Sequence, residues 1–334
     1  MSKIKKILVT GGGGFIGSHL CEKLVHDGHK VTIIDNFCIG RKSNLKTIKN
    51  KVKIFNKDIR NYDSIKYLFK KIDVVFHLAA LADIVPSIEN PDDYYRTNVT
   101  GTYNILKLSL ENKVKRFIYT ASSSCYGIPK KYPTKETAEI DPQYPYALTK
   151  RLGEELVIHF SKVYKLNASS LRFFNVYGPR ARTSGTYGAV FGVFLAQKIA
   201  RKPFTIVGNG KQTRDFTFVS DIVDATIKVS KKKNLIGEIF NVGSGKTVSV
   251  NKIANLLKGK KINIPKRPGE PNVTFACIKK IKSKTRWKPK ISIEKGIQIM
   301  LKHLSDWKHA PVWTTNKINK QTKKWFYYLG NKKN

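Results

Sequence analysis

Tyr146 and Lys150 stand four residues apart in a stretch, Tyr146–Tyr164, that reads as a helix, so a phenol and an ammonium share one face. A free tyrosine titrates at about 10. A neighbouring ammonium, or a cationic ring, favours the phenolate and pulls that value toward neutrality. Tyr146 is therefore a candidate general base and Lys150 its candidate partner. The plain alternative is an ordinary helical Tyr/Lys pair, because the spacing is common by chance. Upstream, Ala121-Ser122-Ser123-Ser124-Cys125-Tyr126-Gly127 follows a predicted strand, Arg116–Ala121. Hydroxyls then fall at the strand's carboxyl end, where open α/β sheets bind ligands. Ser122 is a candidate for bonding a reacting hydroxyl and relaying its proton. Ser123 and Ser124 read almost as well as a polar turn.

A second set of residues points to a dinucleotide. Thr10-Gly11-Gly12-Gly13-Gly14-Phe15-Ile16-Gly17 lies between a predicted strand, Ile4–Thr10, and a predicted helix, Gly17–Asp27. Gly11, Gly14 and Gly17 allow a tight turn that aims helix N-terminal amides, including those of Phe15 and Ile16, at a pyrophosphate. Asp35 closes the next strand, 18 residues after Gly17, close to the offset of about 20 expected of a ribose-binding acid. Its carboxylate can accept from both ribose hydroxyls and repels a 2′-phosphate, so NAD is expected rather than NADP. Asp58, with Ile59 beside it, follows the third strand and is placed to meet the adenine edge. Leu78, Ala79 and Ala80 end the fourth strand with small residues that let a dinucleotide lie close. His77 before them reads better as a satisfied structural histidine than as a catalytic group.

The elements that must hold these residues alternate. Ile4–Thr10, Lys30–Asp35, Val52–Asn56, Asp73–Leu78, Arg116–Ala121 and Ala168–Phe173 are short branched or aromatic runs, the pattern of buried parallel strands. Helical stretches at Gly17–Asp27, Asp92–Asn112 and Tyr146–Tyr164 separate them. The prediction is an α/β fold: a Rossmann-type doubly wound parallel sheet with a smaller C-terminal substrate-binding lobe. The expected division is 1–178 for the NAD-binding unit and 179–334 mainly for the lobe, with the chain free to cross back. Short strands at Phe204–Val207, Ile239–Val242 and Val248 are assigned to the lobe. The aromatic tail from Trp307, with Trp313, Trp325, Phe326, Tyr327 and Tyr328, is expected to pack on the body.

Composition narrows the class. The 334 residues are 41% hydrophobic and 11% aromatic, enough for substantial cores, which excludes a disordered chain. Met1-Ser2-Lys3 runs into a strand rather than a signal peptide. The longest apolar run, around Ala189–Ala196, is too short to span a membrane. Cys21, Cys38, Cys125 and Cys277 are scattered with no His cluster nearby, so a reduced cytoplasmic protein without a metal is expected. The net charge of +40 raises nucleic acid as a partner. Its lysines, however, are spread among many Ile and Asn, residues with A/T-rich codons. No aromatic-interleaved or helix-turn-helix pattern accompanies them, even in the densest stretch, Lys258–Lys290. Nucleic acid is not the expected partner.

These motifs together resemble the extended short-chain dehydrogenase/reductase family, in its NAD-dependent epimerase/dehydratase branch. The resemblance runs from Ile7 to about Pro289 and includes Asn98-Val99-Thr100-Gly101-Thr102, Arg172-Phe173-Phe174-Asn175-Val176-Tyr177-Gly178-Pro179, Gly208-Asn209-Gly210-Lys211-Gln212-Thr213-Arg214-Asp215-Phe216 and Arg267-Pro268-Gly269-Glu270. It implies that Gly11, Gly14, Gly17, Asp35, Asn36, Asp58, Asn98, Tyr146 and Lys150 bind NAD. It likewise implies that Asn175, Arg214, Arg267 and Glu270 hold the nucleotide diphosphate and its ribose or base. Paired guanidinium groups suit a diphosphate.

Within the branch, 4,6-dehydratases carry Asp-Glu where Ser123-Ser124 stand, and UDP-glucuronate decarboxylases carry Glu at the Ser124 position. The serine triplet is most similar to the 4-epimerases of UDP-hexoses and UDP-N-acetylhexosamines. Thr274 falls where a bulky residue can exclude an N-acetyl group, so both sugar classes are expected to fit. Asp83 departs from the hydroxyl that N-acetyl-preferring relatives carry. The resemblance further implies a homodimer through Asp92–Asn112 and Tyr146–Tyr164. Alternatives are a UDP-glucuronate 4-epimerase or decarboxylase, another nucleotide-sugar converter, or a non-catalytic NAD-binding sensor.

Overall fold

The computed structural model describes residues 4–181, 190–233 and 235–330. Met1-Ser2-Lys3 and Ala189, used above, lie outside them. Seven parallel strands form one sheet: β1 (Lys6–Thr10), β2 (Lys30–Asp35), β3 (Val52–Asn56), β4 (Val74–His77), β5 (Arg116–Ser122), β6 (Ala168–Phe173) and the strand Glu238–Val242. Their spatial order is Glu238–Val242, β6, β5, β4, β1, β2, β3. This is the doubly wound order, which reverses between β1 and β4 and opens a crevice there. Ile239–Val242, assigned from sequence to the lobe, instead pairs in parallel with β6 and buries Phe240 and Val242.

Both sheet faces are apolar, which is why the strands read as continuous hydrophobic runs. Ile7 and Val9 of β1 face α1 (Phe15–His26) and the helix Val219–Lys231, and Leu8 faces the helices Gly101–Glu111 and Pro145–Tyr164. The expected helix Asp92–Asn112 is interrupted: Pro91–Tyr95 and Gly101–Glu111 are joined by a wider π turn over Arg96–Thr100. Such turns mark functional positions, and this one carries the buried Asn98.

The lobe has its own core around Phe191, Phe194, Phe204, Ile206, Ile253, Met300 and Trp307. In it Phe204–Val207 pairs with Lys261–Ile264, and Thr213–Arg214 with Val248–Ser249. A C-terminal helix, Thr315–Gly330, buries Trp325 but leaves Tyr327 and Tyr328 exposed. The tail aromatics therefore divide, because adjacent positions on a helix point to different sides. The register sets Thr10 beside His77, His77 beside Tyr119 and Ser122 beside Phe173. The loops after β1, β4, β5 and β6 consequently open on the same edge.

Candidate active site

A cavity of about 810 Å³ opens along that edge and continues into the lobe. At the end nearest β1 and β2 the glycine loop is tightly packed. A Cβ on Gly11, whose φ is +71°, would lie 2.7 Å from the Ala79 amide nitrogen, and one on Gly14 would lie 3.2 Å from the Gly11 carbonyl oxygen. α1 starts at Phe15, and its first internal bond is donated by the Ser18 amide to Gly14. The amides of Phe15, Ile16 and Gly17 thus lie ahead of the helix ladder, available to an anion. Asp35 accepts from the Gly13 and Phe37 amides, both at 2.8 Å. Those bonds fix the carboxylate and leave it lone pairs for ribose hydroxyls. Burial raises its pKa despite them. Asp58 is held by Arg60 at 2.8 Å and by the Asn36 amide at 2.9 Å. This cradle fits NAD.

His77, next to the cavity-lining Leu78, is fully buried. Its Nε2 meets the Thr102 hydroxyl at 2.9 Å, and Thr102 donates to the Asn98 carbonyl at 2.6 Å. Nε2 is therefore the donor, and Nδ1 accepts from Thr10 at 2.6 Å. Both ring nitrogens are satisfied by neutral imidazole, and burial pushes the pKa down to about 3. His77 is structural, as expected.

At the middle of the cavity Ser122, Ser124 and Tyr146 share the lining, and Ser124 donates to Ser122 at 2.8 Å. Burial holds Tyr146 above the usual tyrosine value, with the Ser122 and Ser124 hydroxyls opposing it. The protein's own groups therefore do not by themselves produce the expected fall toward neutrality. Burial also drains the partner's charge: it brings Lys150 down to about 7, with Glu154 opposing. The Lys150 ammonium sits 4.3 Å from the centre of the Tyr119 ring.

In the lobe, Thr274 donates to the Asn175 side-chain oxygen at 2.8 Å. Burial lowers the basicity of Arg214, with Glu270 opposing and the Arg267 charge adding to the fall, a repulsion that a shared anion would relieve; Glu270 pairs with Arg267 at 3.2 Å.

Every residue predicted from sequence lines this one cavity except Asn98. Asn98 is buried beneath it. Its side chain accepts from the Leu81 amide at 2.9 Å and donates to the Leu81 carbonyl and the Thr149 hydroxyl, both at 3.0 Å. It ties the loop after β4 to the helix of Tyr146, with both of its amide hydrogens used and the side chain buried.

Three residues escaped the sequence reading. Tyr144 stacks on Tyr146 at 6.4 Å, and Trp325 forms part of the wall. Glu154, one turn beyond Lys150, binds Arg172 at 2.7 Å and Ser170 at 2.6 Å, anchoring the helix to β6. Its position four residues after Lys150 was the available signal.

The sequence pattern of the NAD dependent epimerase/dehydratase family matches residues 7–243. The chain belongs to this family. The UDP-N-acetyl-alpha-D-glucosaminuronate decarboxylase of Bacillus cytotoxicus is 34% identical over 315 residues, 88% of this chain and 96% of that protein. The UDP-glucose 4-epimerase of Thermotoga maritima, solved with UDP-glucose, has a TM-score of 0.85 at 32% identity, over 90% of this chain and 98% of that one. The UDP-glucuronic acid 4-epimerase of Bacillus cereus, solved with UDP-glucuronic acid and NAD, has a TM-score of 0.84 at 32% identity, over 90% and 99%. Membership in the NAD dependent epimerase/dehydratase family makes this protein an NAD-dependent enzyme. Its four cysteines are free thiols. Among the described residues no helix is long and apolar enough to cross a membrane, and no group of His, Cys, Asp or Glu is arranged to hold a metal.

Proposed function

We propose that the protein is a nucleotide-sugar 4-epimerase acting on a UDP-hexose or UDP-N-acetylhexosamine. The observation that carries this reading is the hydroxyl cluster lining the cavity beside Tyr146: Ser122 and Ser124, bonded to each other, stand where the resemblance implies acids in dehydratases and decarboxylases. In this reading residues 1–178 hold NAD and 179–334 mainly hold the sugar nucleotide, with the helix Val219–Lys231 and the strand Glu238–Val242 returning to the first unit.

Gly11, Gly14, Phe15, Ile16 and Gly17 receive the NAD pyrophosphate. Asp35 takes the adenosine ribose, Lys150 the nicotinamide ribose, and Ala79 and Ala80 give the dinucleotide room. When bound there, NAD would supply reversible hydride transfer at the sugar C4. Tyr146 removes the proton of the C4 hydroxyl, with Ser122 bridging the two oxygens, and later returns it. The protein's own groups keep the phenol protonated, so the lowering needed for base chemistry depends on positive charge arriving with the cofactor. Asn175, Arg214, Arg267 and Glu270 hold the nucleotide. The 4-keto sugar stays tethered through its diphosphate while it turns its other face to Tyr146. Thr274 is small, which suits an N-acetyl group as well as a hydroxyl.

The helices Gly101–Glu111 and Pro145–Tyr164 expose Tyr103, Leu148, Val163 and Tyr164. This supports a homodimer, to be checked by light scattering.

The deciding experiment incubates the purified protein with UDP-galactose, UDP-GalNAc and UDP-glucuronate without added NAD. UDP-glucose or UDP-GlcNAc is the expected product. A UDP-pentose from UDP-glucuronate would assign a decarboxylase instead. No product from any of the three, even with NAD added, would sink the reading.

A further inference from the structure

The C-terminal helix Thr315–Gly330 turns one face inward, burying Ile318, Thr322 and Trp325 at helical spacing. It packs on the helix Ile84–Glu89, which follows directly on the cavity-lining residues Ala80–Asp83. Trp325 meets the opposite wall. Its indole Nε1 donates to the Pro268 carbonyl at 2.9 Å, and the Arg267 guanidinium lies 5.3 Å from its ring centre. The same ring lies 6.5 Å from Tyr144, which in turn stacks on Tyr146.

We propose that this helix is a clasp across the cavity and that Trp325 is a positioning residue for nucleotide binding. The proposal rests on the nucleotide-sugar reading above. Arg267 stands in a Pro-Gly loop, Arg267-Pro268-Gly269-Glu270, after the strand Lys261–Ile264, where Glu270 pairs with it at 3.2 Å. A flexible guanidinium loses rotamer freedom when it grips an anion. Stacked on a buried indole, Arg267 has given up that freedom before the ligand arrives. The Nε1 bond fixes the loop backbone as well. The Trp325 Nε1 and ring face bind Pro268 and Arg267, on the nucleotide side of the cavity, so loss of the indole weakens binding and spares the chemical step.

The test uses the full-length, NAD-bearing protein and its Trp325→Ala, Trp325→Phe, Arg267→Ala and Trp325→Ala/Arg267→Ala variants, with Lys320→Ala on the exposed side of the helix as control. UDP affinity is read by calorimetry, and KM and kcat by product formation. Trp325→Ala is expected to weaken UDP binding and raise KM by about tenfold, with kcat held within about twofold. Trp325→Phe, which keeps a ring but loses the Nε1 donor, falls between. Because Trp325 acts through Arg267, the double variant loses little more than Arg267→Ala alone. Unchanged UDP affinity in Trp325→Ala overturns the proposal, as does full additivity with Arg267→Ala. Should Trp325→Ala fail to fold, Trp325→Phe decides: weakened binding supports the proposal and wild-type affinity overturns it. A wild-type protein that binds no UDP overturns the nucleotide-sugar reading itself, and this inference with it.

Discussion

Thr274 donates its hydroxyl to the side-chain oxygen of Asn175, 99 residues earlier in the chain, and accepts from the Asp215 amide at 3.1 Å. The residue that resemblance marks as a gate on sugar size is thus also a support. With its oxygen occupied, the Asn175 amide keeps its NH₂ as a donor toward the cavity.

The two roles separate by substitution. Thr274→Val keeps the size and loses the bond, so KM rises several-fold for N-acetylated and plain UDP-hexoses alike, by about the value of one hydrogen bond. Thr274→Tyr adds bulk and cuts turnover of UDP-GalNAc far more than that of UDP-galactose. Parallel rates on the two substrates check both outcomes; equal loss in Thr274→Tyr contradicts the gate.

Removing the phenol oxygen tests the proton transfer. Tyr146→Phe is expected to lower kcat by about 10²–10⁴-fold while UDP affinity and retained NAD stay as in the wild type. Ser122→Ala removes only the bridge and costs less. Steady-state rates and cofactor content, measured on the same preparations, distinguish lost chemistry from lost binding.

Asp35 holds the Gly13 and Phe37 amides and faces the ribose site. Asp35→Asn replaces one acceptor oxygen with a donor, which sets an NH₂ against one of those amides. Purified Asp35→Asn should lose most of its copurifying NAD, seen as a fall in nucleotide released on acid denaturation. Full retention argues against the assignment.

Glu154 and Arg172 are each about 1% exposed and bind at 2.7 Å. Glu154→Ala leaves a buried guanidinium without its carboxylate, a loss on the order of 3–5 kcal/mol. Glu154→Gln keeps the shape and an acceptor and loses less. Denaturant midpoints would show the order; equal stability of all three proteins contradicts it.

His77 makes stability depend on pH. Its folded pKa of about 3 lies below the ordinary 6.5, so the unfolded chain takes up the proton first as pH falls. The contribution is full above 6.5 and is lost toward 3, at a slope of about 1.4 kcal/mol per pH unit. His77→Gln carries no such proton. Between pH 7 and 4 its stability should fall less steeply than that of the wild type, and matching slopes would rule out His77 as the source.

Local order determined much of this protein. The glycine loop between a strand and a helix, Asp35 at the next strand's end, the serines after the fifth strand and the Tyr146–Lys150 spacing are written within short windows, because backbone geometry and helical periodicity act over a few residues. The parallel sheet followed from its apolar runs, which answer to burial on both faces. The tertiary structure decided what depends on distant neighbours. It buried Asn98 as a strut between the loop after β4 and the helix of Tyr146, drew Glu238–Val242 into the main sheet, and tied Thr274 to Asn175. It brought Trp325 from the far end of the chain to Arg267. It also set the Tyr146 and Lys150 proton affinities, where sequence spacing suggested charge stabilisation and burial prevailed. Desolvation and hydrogen-bond partnership are properties of packed surroundings, and no window of sequence contains them.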